Sequence, residues 1–188
     1  MVIERSDPGS IDAAYRVLSD GGVVIMLCDT IYGILGLRTQ TDHRISQIKG
    51  RDARKPFLSL IPDVSWLARF TEMVLPDRLR PYWPGPLTLI FPHREGGTIA
   101  LRVPEDSTLR ELVSRLGAPV NSTSVNREGD PPLHRISEII SGFESEVDLI
   151  IDSGDVEGAV PSTILDLTTF KILRKGAVDF KDIIQGDR

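Results

Sequence analysis

Gly21-Gly22-Val23-Val24-Ile25-Met26-Leu27-Cys28-Asp29-Thr30 decides the fold class. Six apolar residues in a row, β-branched at the start and bounded by glycines and by Asp29-Thr30, predict a buried strand without a solvent face. Upstream, Ser10 is expected to cap a helix in which Ile11, Ala14, Tyr15 and Leu18 fall at i, i+3, i+4, i+7 on one stripe, stopped by Gly21-Gly22. Downstream, residues 29–36 read as a loop holding Thr30, Tyr32 and two glycines, and residues 42–49 have helical spacing through Ile45 and Ile48.

The same mixture continues outward. Residues 57–61 predict a strand, two short helices are expected around Trp66 and Leu79, and Trp83-Pro84-Gly85-Pro86 feeds a strand at 87–91. Residues 98–103 alternate, with Ile99, Leu101 and Val103 toward the core and Thr98, Ala100 and Arg102 on the exposed side. Asp106 or Ser107 is expected to cap a helix with Leu109, Leu112, Val113 and Leu116 on one stripe, closed by Gly117. A turn-rich stretch begins at Pro119, a helix follows near 136–140, and strands are expected at 147–151, 163–167 and 171–174. Strands interleaved with helices, without repeat, low-complexity tract or linker, predict a single α/β domain over residues 1–188.

Composition narrows the function classes. The 188 residues carry a formal charge of -5, which disfavours a protein that coats nucleic acid or an anionic membrane, so any anion site must be local. Weak or no direct tRNA binding is expected. Cys28 is the single cysteine, which excludes an internal disulfide and suits a reducing compartment. The first ten residues carry Glu4, Arg5 and Asp7 with no apolar stretch behind them, and no apolar run is long enough to span a bilayer, so no membrane partner and a cytoplasmic location are expected.

Lys49-Gly50-Arg51 with Arg54 and Lys55 places four cations within seven residues. In an extended segment Lys49 and Arg51 point the same way and can converge on one anion; a solvated charge run is the alternative, and residue types alone leave both open. Arg102 shares a strand face with Thr98. Ser122-Thr123-Ser124-Val125-Asn126 clusters hydroxyl and amide side chains, a pattern that fits turn chemistry as well as a site, and Pro161-Ser162-Thr163 invites the same two readings. The chain has no Walker-type loop, GxGxxG or GxSxG, and His43, His93 and His134 lack ligand spacing, so a protein-built metal site is not expected. From its residues alone the chain reads as an anion-binding α/β domain.

These segments together resemble the YrdC-like family, in order, from about Gly21 to Gly176. The resemblance is carried by Gly21-Gly22-Val23-Val24 leading to Asp29-Thr30-Ile31-Tyr32-Gly33, by Lys49-Gly50-Arg51 with Lys55-Pro56, by Trp83-Pro84-Gly85-Pro86-Leu87-Thr88, by residues 98–104, by Ser122-Thr123-Ser124-Val125-Asn126, and by Pro161-Ser162-Thr163 with Leu173-Arg174-Lys175-Gly176. It departs at Val125, where the family usually has alanine, at Cys28, which replaces a common threonine, and at Leu60, where longer relatives place a histidine.

The resemblance implies a twisted mixed β-sheet flanked by helices with a concave, positively lined groove. It implies a nucleotidyltransferase that turns L-threonine, bicarbonate and ATP, with Mg2+, into threonylcarbamoyl-AMP and pyrophosphate for tRNA modification, the product passing to downstream threonylcarbamoyl-transfer proteins. It places Lys49, Arg51, Lys55, Thr98, Ser124, Asn126 and Arg174 at ATP, with Lys49, Arg51, Ser124 and Asn126 as the catalytic set. Thr30, Arg102, Ser122 and Ser162 fall where the family holds threonine or its carboxylated form. The competing readings are a non-catalytic RNA- or nucleotide-binding module of the same fold and a carbamoyl-transfer accessory domain. The additional C-terminal domain of longer relatives is expected to be missing, so that closure over the groove comes from elsewhere or does not occur.

Overall fold

The computed structural model describes residues 1–179. Ten strands form one mixed sheet: β1 Val2–Glu4, β2 Val24–Cys28, β3 Ile31–Leu37, β4 Leu58–Leu60, β5 Leu87–Pro92, β6 Thr98–Arg102, β7 Val120–Ser124, β8 Leu149–Asp152, β9 Thr163–Asp166 and β10 Lys171–Arg174. Their spatial order is β1-β8-β2-β3-β7-β4-β6-β5-β9-β10. Four helices accompany them, α1 Ser10–Ser19, α2 Asp42–Lys49, α3 Ser107–Leu116 and α4 Ile136–Phe143, with 3-10 turns at Val64–Arg69 and Asp77–Tyr82. No helix among the described residues is long and apolar enough to cross a membrane.

The uninterrupted apolar run of β2 follows from its position. Val24, Met26 and Cys28 pack with Ala14 and Leu18 of α1 and with Leu109, Leu112 and Val113 of α3. Ile25 faces the other way, toward Ile45 and Ile48 of α2 and Ile139 and Phe143 of α4. With helices on both faces, the strand's side chains are buried except Leu27, which is half-buried. β8 divides in the same manner, Leu149 and Ile151 to one layer and Ile150 to the other. A third core gathers Leu89, Phe91, Ile99, Leu101, Val103 and Leu165 around Trp66 and Trp83. Ile99, Leu101 and Val103 therefore face the core as the alternation predicts.

Four sequence expectations are corrected. Residues 31–37 form the strand β3, paired with both β2 and β7, and are not loop. Its glycines serve close packing: a Cβ on Gly36 would lie 2.2 Å from Thr41 Oγ1, and one on Gly33 would lie 2.8 Å from Cys28 Sγ. The stretch after Pro119 is the strand β7, bonded between β3 and β4. It looks turn-like because its polar residues are satisfied inside the fold, where Asn121 joins Ser59 and Asp42. Ser10 is not the cap of α1: Gly9 holds that position, while the buried Ser10 hydroxyl donates to the Arg5 carbonyl at 3.1 Å. Lys49 and Arg51 are not on an extended segment, because Lys49 ends α2 and Gly50, at φ 64°, turns the chain in a left-handed cap. The strand β1 had no sequence signal; three residues pairing parallel to β8 are too few to show a period.

Candidate functional site

Where β2, β3, β7, β6 and β9 bring their side chains together, the sheet leaves a pocket of about 170 Å³. Its floor and walls come from Cys28, Thr30, Tyr32, Gly33, Phe57, Ser122, Ser124, Ser162 and Ile164, and three guanidinium groups enter it, those of Arg51, Arg102 and Arg174. The lining contains no carboxylate. Such a volume lies below the roughly 300–1,000 Å³ that enclose a drug-sized ligand. The enclosed part therefore suits a small anionic metabolite, with a larger group extending outward.

Arg102 is the most deeply set of the three. Expected on an exposed strand face, it is 3% exposed, because that face of β6 looks into the pocket rather than into solvent. Its Nη2 donates to the Cys28 carbonyl at 2.8 Å and to Asp29 Oδ2 at 3.2 Å, while its buried Nε has no partner. Arg174 reaches the pocket through an irregularity of register between Ile172 and Arg174 in β10, which re-aims the side chain. It donates to the Ser162 carbonyl and to Ser162 Oγ, each at 2.9 Å, and the Ser162 hydroxyl also meets Thr88 Oγ1 at 2.8 Å. Burial, with Arg102 alongside, holds the Arg174 guanidinium below its usual pKa. Arg51 lies over the Phe57 ring at 3.9 Å, donates to the carbonyls of Lys55 and Pro56, and also has a buried Nε without a partner. Buried donors are nearly always satisfied in folded proteins, so two orphaned Nε groups beside an acidic-free lining point to an anion that completes them.

Lys49 does something different. Its ammonium donates to the carbonyls of Ser124 and Asn126 at 2.7 and 3.0 Å and to Asn126 Oδ1 at 2.8 Å, so it fastens the end of α2 to the end of β7. Asn126 Oδ1 also accepts from Ser124 Oγ at 2.6 Å, and its amide nitrogen donates to Arg127 and Asp130. Burial first, then the neighbouring Arg51, lowers the Lys49 pKa to about 8. Ser124 lines the pocket; Lys49 and Asn126 stand behind it.

Of the residues named from sequence, Thr30, Arg51, Arg102, Ser122, Ser124, Ser162 and Arg174 meet in the pocket. Lys55 lies outside the lining and pairs with Glu128. Thr98 is exposed at the far end of β6, opposite Pro92, and is not brought to the pocket. Tyr32, Phe57 and Ile164 were not singled out as contacts, since an apolar or aromatic residue on a strand reads as core. The Cys28 thiol is pushed up to about 12 by burial, so it is a protonated wall of the pocket and not a nucleophile. Among the described residues no group of three or more His, Cys, Asp and Glu is placed to hold a metal ion.

Comparison with known proteins places the chain in a family. A family model, Sua5/YciO/YrdC, described as telomere recombination, matches residues 16–176. The threonylcarbamoyl-AMP synthase of Pyrococcus abyssi is 29% identical over 199 residues, an alignment covering 97% of this chain and 58% of that protein. The chain thus spans a little over half the length of that relative. The threonylcarbamoyl-AMP synthase of Coxiella burnetii strain RSA 493 is 29% identical over 180 residues, covering 88% of this chain and 96% of the other. Among solved structures, that of P. abyssi Sua5 complexed with L-threonine superposes with a TM-score of 0.86 at 26% identity, covering 98% of this chain and 60% of that one.

Proposed function

The chain belongs to the Sua5/YciO/YrdC family, and from that premise we propose that it forms threonylcarbamoyl-AMP and pyrophosphate from L-threonine, bicarbonate and ATP. The observation that carries the reading is the pocket itself: three arginines, two of them with an unpartnered buried Nε, among hydroxyl side chains and without an acidic neighbour in the lining. The names of the P. abyssi and C. burnetii relatives support the same activity.

The chemistry asks little of the protein beyond placement. The threonine amine attacks bicarbonate, a C–N bond forms and water leaves; an oxygen of the resulting carbamate then attacks the α-phosphorus, and pyrophosphate departs. The carbamate brings its own nucleophile, so the protein must bring anions together and meet the charge that develops. In this assignment Arg102 receives the amino-acid carboxylate, with the hydroxyls of Thr30, Ser122 and Ser162 around it. Arg51, Arg174 and Ser124 meet the phosphates. Lys49 and Asn126 hold Ser124 in position, and Lys55 adds charge at the rim when it leaves Glu128. Thr98 has no part in the assignment because it lies away from the pocket. No step is assigned to protein-held Mg2+: the lining lacks the one or two carboxylates such a site uses, so the ion is proposed to arrive on the phosphates of ATP.

Pyrophosphate release, measured with threonine and bicarbonate supplied or withheld in turn, tests the proposal. Release that needs both is expected. Release at the same rate without either would reject it and favour a nucleotide-binding module.

A further inference from the structure

Asp29 has no role in the assignment above, yet its geometry is constrained from several sides. It is the first of the two residues that turn β2 into β3, and its φ of 60° lies in the left-handed region that a residue with a side chain seldom adopts. Its carboxylate is spent on three donors: Arg102 Nη2 at 3.2 Å, the Glu105 amide at 2.8 Å and the Asp106 amide at 2.7 Å. The second and third of these lie at the start of α3, where Asp106 in turn caps the helix through the amides of Thr108 and Leu109 and pairs with Arg5 at 3.1 Å. The hairpin turn is thereby bolted to a fixed helix end, and Arg102 is bolted to the turn.

We propose that Asp29 is a positioning residue for amino-acid recognition, pinning one corner of the Arg102 guanidinium so that its remaining edge faces the substrate carboxylate. A guanidinium is planar, so fixing Nη2 between Asp29 and the Cys28 carbonyl leaves little freedom for the rest of the fork. Nε is buried and without a partner, and Arg102 itself lines the pocket. A carboxylate at this point of the turn reaches both the helix amides and the arginine. This inference rests on the reading that Arg102 receives the threonine carboxylate.

Asp29→Asn separates the roles. Asparagine tolerates the left-handed backbone and keeps the shape, but its amide nitrogen replaces one acceptor oxygen and sets a donor against a donor. Binding of L-threonine to the full chain is measured by calorimetry for the wild type, Asp29→Asn, Arg102→Met and the double variant, with ATP affinity as the check that each is folded. Loss of one charge-assisted contact predicts that Asp29→Asn weakens threonine roughly 10-fold or more while ATP changes by less than about 2-fold. On the Arg102→Met background the same exchange is expected to add less than about 2-fold, because Asp29 acts through the arginine. Asp29→Gly, which removes the backbone strain with the carboxylate, carries the same expectation if the asparagine variant fails to fold. Unchanged threonine affinity in a folded variant overturns the inference, as does an equal loss with and without Arg102. A wild type that binds ATP but not threonine overturns the underlying assignment of Arg102 and this inference with it.

Discussion

Arg102 and Lys49 are buried cations with different partners, and the difference sets what each substitution does. Arg102 is paired with Asp29, whose side chain is 9% exposed, so Arg102→Ala leaves a carboxylate in a poorly solvated place. A loss of about 3–5 kcal/mol in denaturant unfolding is expected together with weakened threonine binding, where a surface arginine would have cost nothing. Lys49 is held by neutral acceptors, and its pKa of about 8 lies below the usual 10.5 because burial disfavours the charged form. Between those values the unfolded chain binds more protons than the folded one, so unfolding free energy should rise with pH from about 8 to about 10.5. Lys49→Met is expected to abolish that rise, so that the variant's urea midpoint stays flat across the window in which the wild type's climbs. Arg51→Ala, which removes a pocket guanidinium, should weaken ATP about 10- to 150-fold by calorimetry; unchanged affinity would return residues 49–55 to a solvated charge run. The sequence marked Arg102 for the right face of its strand, but alternation distinguishes one face from the other and not solvent from a pocket. Asp29 was invisible as a partner, since its three contacts come from residues 73 to 77 positions away.

Besides the short edge strand β1, the elements that went unread, β3 and β7, are central strands that break the pattern used to find strands. β3 is buried on both faces, so it does not alternate, and its two glycines resemble loop residues until their neighbours are known. Gly36→Ala would drive a methyl group into Thr41, and overpacking of this kind is expected to cost about 1–3 kcal/mol in thermal or urea unfolding. If Gly36 marked a flexible loop, the same change would be neutral or stabilising. β6 was legible because one face is fully apolar core: Leu101 is 0% exposed, and Leu101→Ala should cost about 2–5 kcal/mol with catalysis per folded molecule retained. β7 is polar because Ser122 and Ser124 line the pocket while Asn121 is satisfied on the opposite face by Ser59 and Asp42. A strand committed to a site carries few of the apolar residues by which strands are recognised.

At the scale of the whole molecule, 22 Lys and Arg stand against 27 Asp and Glu, and the pocket already holds three of the arginines. Each phosphate contact to RNA needs a cation on a continuous face, so tRNA affinity near physiological salt is expected to be weak in a filter-binding titration. The α/β class and the order of the motifs were legible because they depend on residues close in sequence. The pocket was not, because its walls come from seven strands and the connecting segments between them. That construction makes the central claim a statement about one small volume: the carbamate of an amino acid and an α-phosphate must meet there with no protein nucleophile between them. The most direct test is a single incubation with isotopically labelled bicarbonate, L-threonine and ATP, without RNA, followed by mass spectrometry of the nucleotide products. The account predicts an adenylate that carries the bicarbonate label and the threonine mass together, formed one for one with pyrophosphate. An adenylate of threonine without the label, or pyrophosphate without any labelled adenylate, would contradict it.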